Sequence, residues 1–326
     1  MSEQNGPDSG VVFRKPEGRD GGRYDMKTGM ILEGGAMRGM FTAGVTDVMM
    51  KQGIRFDGMI GVSAGASFGC NYKSHQIGRT IRYNVRFCRD PRFCSLKSLI
   101  RTGDLYGADF CYSELPHSLD PFDRETFEKD PMEFYVVCTD ADTGRAVYHR
   151  CPVGDDQDLQ WMRASASMPV VSKPVRLGSR NLLDGGIADS IPVRFFEHLG
   201  YDRNVIVLTQ PAGYVKQQQK HLALLKVLLR DYPKVWERLR TRHIKYNRTL
   251  EYIGKLESEG KAFVVRPPVP LNIGSTEHNA EKLLEVYRIG RDTGESVMSG
   301  MKAFLRGAYE LKRTVNEAAD GYEADQ

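Results

Sequence analysis

The sequence predicts an α/β protein built on a mainly parallel sheet. Two observations carry this prediction. Between Met30 and Cys70, short apolar runs alternate with helical stretches, in the order strand, Gly-rich loop, helix, strand, sharp turn, helix. Repetition of that kind lays strands side by side in one direction with helices crossing over them. Further along, Phe134–Thr139, Asn181–Leu183 and Asn204–Thr209 are apolar runs of strand length. Each is bounded by turn or breaker residues, as buried strands are.

Taken in order, Met1–Asp25 is rich in Gly, Ser, Asp and Arg and has no apolar core of a signal peptide. Residues 1–27 are therefore expected to be a flexible polar tail. Met30-Ile31-Leu32 is a strand, followed by the loop Glu33-Gly34-Gly35-Ala36-Met37-Arg38-Gly39. Phe41, Val45, Val48 and Met49 then recur at helical spacing up to a stop at Gly53. Phe56–Ile60 is a second strand, and a helix rich in small residues starts at Ala64. Ile77–Arg92 is basic and aromatic, and Pro116–Pro131 is polar with helix-start signals.

Phe134–Thr139 and Ala146–Tyr148 form a hairpin about Thr143-Gly144. Leu159–Ser167 is a helix that stops before Pro169. Asn181–Leu183 runs as a strand into Asp184-Gly185-Gly186, and Pro192 opens a helix with Ser190 as its cap. After Asn204–Thr209 the chain turns helical, at His221–Arg230 and Pro233–Leu256. A strand, Ala262–Val265, precedes two last helices, Glu281–Ile289 and Glu295–Lys312. No Pro/Ser-rich linker intervenes, so residues 28–212 are expected as the core, with residues 213–326 a mostly helical region packed on it.

Composition narrows the function. A 40% hydrophobic, 27% charged chain of 326 residues is an ordinary globular composition. The net charge of +4 is too small to argue for nucleic acid. No run reaches the roughly 18 apolar residues of a membrane span, and a cytoplasmic protein is expected. The six cysteines (70, 88, 94, 111, 138, 151) show neither CxxC nor paired Cys/His spacing. They read as reduced thiols, and neither metal nor any other cofactor is expected.

The chemistry centres on Gly61-Val62-Ser63-Ala64-Gly65. A strand turning sharply into a helix holds the central serine on an elbow, its hydroxyl at the positive end of the helix. The same residues also suit a plain Gly-Ser turn, so the rest of the chain decides between the two. A serine nucleophile needs a base and a site for the oxyanion. The small residues of Gly34–Gly39 leave backbone N–H groups uncovered, which meets the second need. Arg38 there either adds positive charge or fixes the loop through carbonyl contacts. A dinucleotide-binding loop is the rival reading, but its second glycine falls at Ala36 and Asp57 precedes a strand.

For the base, His198, His221, His243 and His278 fall mostly within helical stretches. Asp184 ends a strand before two glycines, where a carboxylate can be aimed at the elbow. In a desolvated site an Asp can take the serine proton directly.

In this order, Glu33–Gly39, Gly61–Gly65 and Asp184-Gly185-Gly186 resemble the three signatures of patatin-like phospholipases, and Ala164–Pro169 resembles that family's run into the catalytic strand. The likeness is to the family's bacterial members and covers roughly Met30 to Pro211. It implies a three-layer α/β/α fold, a Ser63–Asp184 dyad and hydrolysis of phospholipid or other acyl esters. It also implies an oxyanion hole at Gly34, Gly35 and Ala36 with Arg38 beside it, and Gly39, Gly61, Gly65, Gly185 and Gly186 as motif glycines. Two residues depart from the pattern: Glu33 replaces the usual Asp, and Ala36 the usual third Gly. An amide donor at Ala36 is expected to survive beside a Cβ only at negative φ. The alternative within the family is a catalytically silent scaffold.

One segment remains. Residues 216–248 carry ten Lys/Arg against Asp231 and Glu237, a net charge of +8 that leaves −4 for everything else. Apolar residues at helical spacing accompany them. The segment reads as an amphipathic helix pair with a solvated basic face. If the apolar stripe is core, the basic face can also serve as a surface for peripheral contact with an anionic membrane, with Lys234, Arg238 and Arg242 facing lipid.

Overall fold

The computed structural model describes residues 26–323, with side chains up to residue 307; the expected tail, to residue 25, lies outside the described residues. β1 (Lys27–Leu32) leads through a 3₁₀ turn at Ala36–Arg38 into α1 (Gly39–Lys51). β2 (Gly58–Val62) passes through Ser63 into α2 (Ala64–Lys73). α3 (Arg79–Phe87), α4 (Leu96–Thr102), a π-helical segment at Phe110–Leu119 and α5 (Arg124–Lys129) follow. The hairpin β3 (Glu133–Asp140) and β4 (Ala146–Arg150) precedes α6 (Asp156–Ser165), β5 (Val175–Leu177) and β6 (Arg180–Asp184). Then come α7 (Val193–His198), β7 (Tyr201–Val207), α8 (Leu222–Leu228), α9 (Pro233–Ser258), β8 (Ala262–Val265) and α10 (Ala280–Glu323).

The sheet runs β5-β6-β3-β2-β1-β7-β8, with β4 also paired to β3. From β3 to β8 all pairings along it are parallel. Strand alternation sorts the core into two layers. Met30, Leu32, Met59, Val136 and Val205 face one cluster, shared with α1, α2 and α10. Ile31, Ile60, Val62, Val137 and Ile206 face the other, shared with α7 and α9. The fold is a three-layer α/β/α sandwich with a mainly parallel sheet.

Four local readings change. Lys27 opens β1 and Met26 is buried, so the last two residues expected in the tail belong to the core. The two C-terminal helices are one continuous α10. Gly290, which interrupts the apolar spacing, lies inside it where α10 crosses α1: a Cβ there would stand 2.1 Å from the Phe41 carbonyl oxygen. Ser190 does not cap α7; its hydroxyl donates to the Gly186 carbonyl (2.7 Å), and α7 follows Pro192 without a side-chain cap. Finally, residues 213–326 do more than lie on the core. They supply the edge strand β8, with α9 on one face of the sheet and α10 on the other.

Candidate active site

The site begins with an irregularity in pairing along β3. One edge of β3 pairs with β4 through residues 135–139. Its other edge pairs with β2 through residues 133–137 and then with β6 through residues 138–140. The shared residues force β2 and β6 onto that same edge, one after the other. β2 leaves at Ser63 just after Val62 has paired with Val137, and Asp184 pairs with the next residue, Cys138. Serine and aspartate, 121 positions apart in sequence, thus become near neighbours.

Ser63 holds the break with φ 55° and ψ −122°, a strained conformation for a residue with a Cβ. Its N–H donates to the Ser165 hydroxyl (2.9 Å), which donates to the Val137 carbonyl (2.6 Å). Ser165 therefore satisfies both backbone groups that lose a partner when β2 departs. Gly65 lets the elbow close on β1, since a Cβ there would lie 2.4 Å from the Leu32 carbonyl oxygen. Gly61, at the end of β2, packs against the backbone of Gly65 and Ala66, and Gly39 packs against the Phe68 ring.

Asp184 is 2% exposed. Its backbone is fixed by the Thr139 hydroxyl on its carbonyl (2.8 Å) and by its own N–H on the Ser167 carbonyl (2.8 Å). Its Oδ1 accepts the Gly186 N–H at 2.7 Å, while Gly185 lies against the Val137 carbonyl. Burial pushes the Asp184 carboxyl above its ordinary pKa, and the Ser63 hydroxyl hydrogen bond, the Arg242 charge and the Gly186 amide pull it back. A carboxylate so placed is a better proton acceptor than a solvated one.

The Gly34–Arg38 loop lies over this pair. A Cβ on Gly34 would stand 2.9 Å from Ser63 Cβ, so the loop rests directly on the elbow. Gly35 is extended at φ 171° and abuts Thr209. Ala36 has φ 49°, so the negative value expected there is not found. Even so, among the described residues no acceptor occupies the N–H groups of Gly34, Gly35 or Ala36. Glu33 anchors the loop from below. Its buried carboxylate accepts the Thr209 N–H (2.7 Å), the Thr209 hydroxyl (3.1 Å) and the Tyr246 hydroxyl (2.6 Å). The extra methylene of Glu relative to Asp lets it reach α9.

Ser63, Asp184 and the loop line a cavity of about 590 Å³ whose walls include Phe68, Phe93, Leu115, Leu159 and Met162. Its size and apolar lining are those of a small-molecule site. Among the described residues no histidine lines it. His278 instead has its Nδ1 on the Cys88 carbonyl (2.6 Å), and His198 ends α7. The sequence reading named Ser63, Asp184 and the loop, and the structure brings them together. It missed the supporting roles of Ser165, Thr209 and Tyr246, counted Lys216 only as a member of a charge run and assigned Arg242 to a lipid-facing surface, although both line the cavity. It also missed that His149, Cys151 and Asp158 converge within 4.8 Å. There the Asp158 carboxylate already accepts the Val153 and Gly154 amides and the His149 ring stacks on Trp161.

Fold and site together define an α/β protein with a serine on a strand–helix elbow beside a buried aspartate. The patatin-like phospholipase model matches residues 30–196, and the chain belongs to that family. Residues 232–306 match a second model, a domain of unknown function (DUF6363). An uncharacterized Escherichia coli protein, YjjU, is 27% identical over 291 residues, 87% of this chain and 80% of that protein. The lysophospholipase nte1 of Aspergillus niger is 27% identical over 185 residues, 53% of this chain but 11% of that much longer protein. VipD from Legionella pneumophila aligns at a TM-score of 0.42 and 11% identity, over 85% of this chain and 68% of that one.

Proposed function

We propose that the protein is a serine lipid acyl hydrolase, of phospholipase A, lysophospholipase or esterase type, working through a Ser63–Asp184 dyad. The observation that carries this reading is Ser63, held on the strand–helix elbow, and the buried Asp184 carboxylate meeting at the wall of one apolar cavity. The relatives named lysophospholipases support it.

Asp184 takes the proton as Ser63 Oγ attacks the ester carbonyl carbon, and the oxyanion accepts hydrogen bonds from the amides of Gly34, Gly35 and Ala36. Collapse breaks the ester C–O bond, and the leaving alcohol takes the proton from Asp184. Water then attacks the acyl-enzyme, giving one proton to Asp184, which returns it to Ser63 as the free acid departs. The Ser63 amide takes no part, since Ser165 occupies it.

Membrane contact, on this reading, is made through α8. Leu224, Val227 and Leu228 are 59%, 66% and 52% exposed. Exposed Lys220, Lys226 and Arg230 flank them, and Leu225 of the same helix lines the cavity. The lipid-facing trio expected from sequence is replaced, because Arg242 lines the cavity and Arg238 Nε donates to the Gly144 carbonyl (2.9 Å).

Labelling with a fluorophosphonate, with the adduct located by mass spectrometry, tests the nucleophile. The adduct is expected on Ser63. Ser63→Ala and Asp184→Asn should each lower ester turnover by about a thousandfold or more, with the double variant little worse than either, as for residues acting as a unit. A labelled residue other than Ser63, or substantial turnover by Asp184→Asn, refutes the dyad.

A further inference from the structure

Three cations from three separate parts of the chain meet at the cavity: Arg38 from the loop, Lys216 from the connection before α8, and Arg242 from α9. Their positions are built. The Lys216 backbone is clamped by Asn247, whose Oδ1 accepts the Lys216 N–H (2.8 Å) and whose Nδ2 donates to its carbonyl (3.1 Å). Its ammonium lies 4.7 Å from the centre of the Tyr246 ring. One guanidinium nitrogen of Arg242 and Asp184 Oδ1 both lie within 3.0 Å of a single point, the place a Cβ on Gly186 would take. The Arg242 charge is therefore only a few bond lengths from the reacting pair.

The neighbouring carboxylates offset these charges only in part: Glu33 and Asp184 stand against three cations. Glu33 is already held by Tyr246 and Thr209, and Asp184 by the Gly186 amide. The one hydrogen bond seen for Arg242 among the described residues is a long one to Ser190 Oγ at 3.4 Å. Among the described residues, Arg38 Nε and Arg242 Nε are buried with no hydrogen-bond partner. Like charges gathered in a desolvated pocket with unused donors oppose folding unless an anion joins them. Guanidinium and ammonium groups converging in this way match phosphate oxygens.

We infer that Arg38, Lys216 and Arg242 form an anion subsite that holds the phosphodiester group of a lipid substrate while its ester carbonyl lies at Ser63. This deepens the hydrolase reading and rests on it for the word substrate. A fatty-acid carboxylate would be the reacting group itself and would sit at Ser63. A charge only a few bonds from the scissile carbonyl is what a glycerophosphodiester carries.

The test is calorimetric binding to the full chain of two ten-carbon amphiphiles below their micelle concentrations: decyl methyl phosphate, a monoanionic diester, and neutral decyl glucoside. Neither contains a carboxylic ester, so the readout is independent of turnover and stands or falls separately from the fluorophosphonate result. The diester is expected to bind at least about tenfold tighter, the scale of one or two charge-assisted hydrogen bonds. Lys216→Met and Arg242→Gln should each bring the ratio of the two affinities toward one, and Lys216→Arg should restore it, with thermal melts confirming that each variant is folded.

A pH series gives a second readout. Burial first, then the Arg242 and Arg38 charges, lower the Lys216 pKa to about 8 against the opposing pull of Glu33. Diester affinity should therefore fall as pH rises through about 8 and Lys216 loses its proton, and this limb should vanish in Lys216→Met. Equal wild-type affinities, a ratio unmoved by both substitutions, or inorganic phosphate binding as tightly as the diester would each overturn the subsite as a headgroup site.

Discussion

At the scale of single residues, the site is made of groups kept where they are uncomfortable. Ser63 and Ala36 both hold positive φ, and Asp184 is an acid buried where its ionised form is disfavoured. The aspartate makes a signed prediction. An acid whose pKa is raised on folding destabilises the fold once pH rises above its unfolded value of about 4. Asp184→Asn should therefore melt higher than wild type at pH 7, and the gain should disappear in acid, where Asp184 is protonated in both states. A lower melting temperature at pH 7 would show that the carboxylate supports the fold. Ala36→Gly relieves the left-handed strain, about 1 kcal/mol, and gives back a similar amount through the freer unfolded chain. Stability and ester turnover should both stay near wild type. A tenfold loss of turnover in a folded Ala36→Gly protein would mean that the Cβ itself positions the loop.

Among the elements, α8 differs from its neighbour α9. α9 buries Val235, Leu239, Tyr246, Ile253 and Leu256 against the core, whereas α8 buries none of its residues. The amphipathic-pair reading thus holds for α9 and fails for α8, whose Leu224, Val227 and Leu228 face outward. Replacing Leu224, Val227 and Leu228 by Ser should change stability by no more than about 0.5 kcal/mol per site, as exposed positions do. Co-sedimentation with anionic vesicles should drop at least about tenfold, since each buried aliphatic side chain contributes roughly 1.5–3 kcal/mol. Lys226→Glu with Arg230→Glu should weaken binding at low salt and flatten its salt dependence. Unchanged binding by both variants would remove α8 as the docking element.

For the whole molecule, the region beyond β7 is an integral part of the sandwich. β8 covers the β7 edge, and α10 lies along α1 with Gly44 and Gly290 at the crossing, where added Cβ atoms would meet backbone at 2.2 and 2.1 Å. A chain ending at Gly260 loses both elements. It exposes a hydrogen-bonding edge and the apolar face of α1, and is expected to aggregate or melt without a cooperative transition. A soluble, cooperatively melting 1–260 fragment would show that the sandwich forms without β8 and α10.

The sequence by itself determined the α/β class and the order of nearly every strand along the chain, and it singled out Ser63, Asp184 and the Gly34–Arg38 loop as candidates for the site. Those features are written in local signals: apolar runs of strand length, glycines where backbones must approach, and a serine centred between two of them. Tertiary structure alone decided what surrounds them. β2 and β6 share one edge of β3 through long-range pairing, which local patterning does not encode. Ser165, Thr209 and Tyr246 serve groups that only the folded chain leaves unpartnered or brings near. The run of ten basic residues could be counted but not divided. Helix phase and the clamp by Asn247 turn Lys216 and Arg242 into the cavity while Lys220, Lys226 and Arg230 remain in solvent. Which way a long charged side chain points is fixed by what packs beside its helix, and that is known only once the sheet has formed.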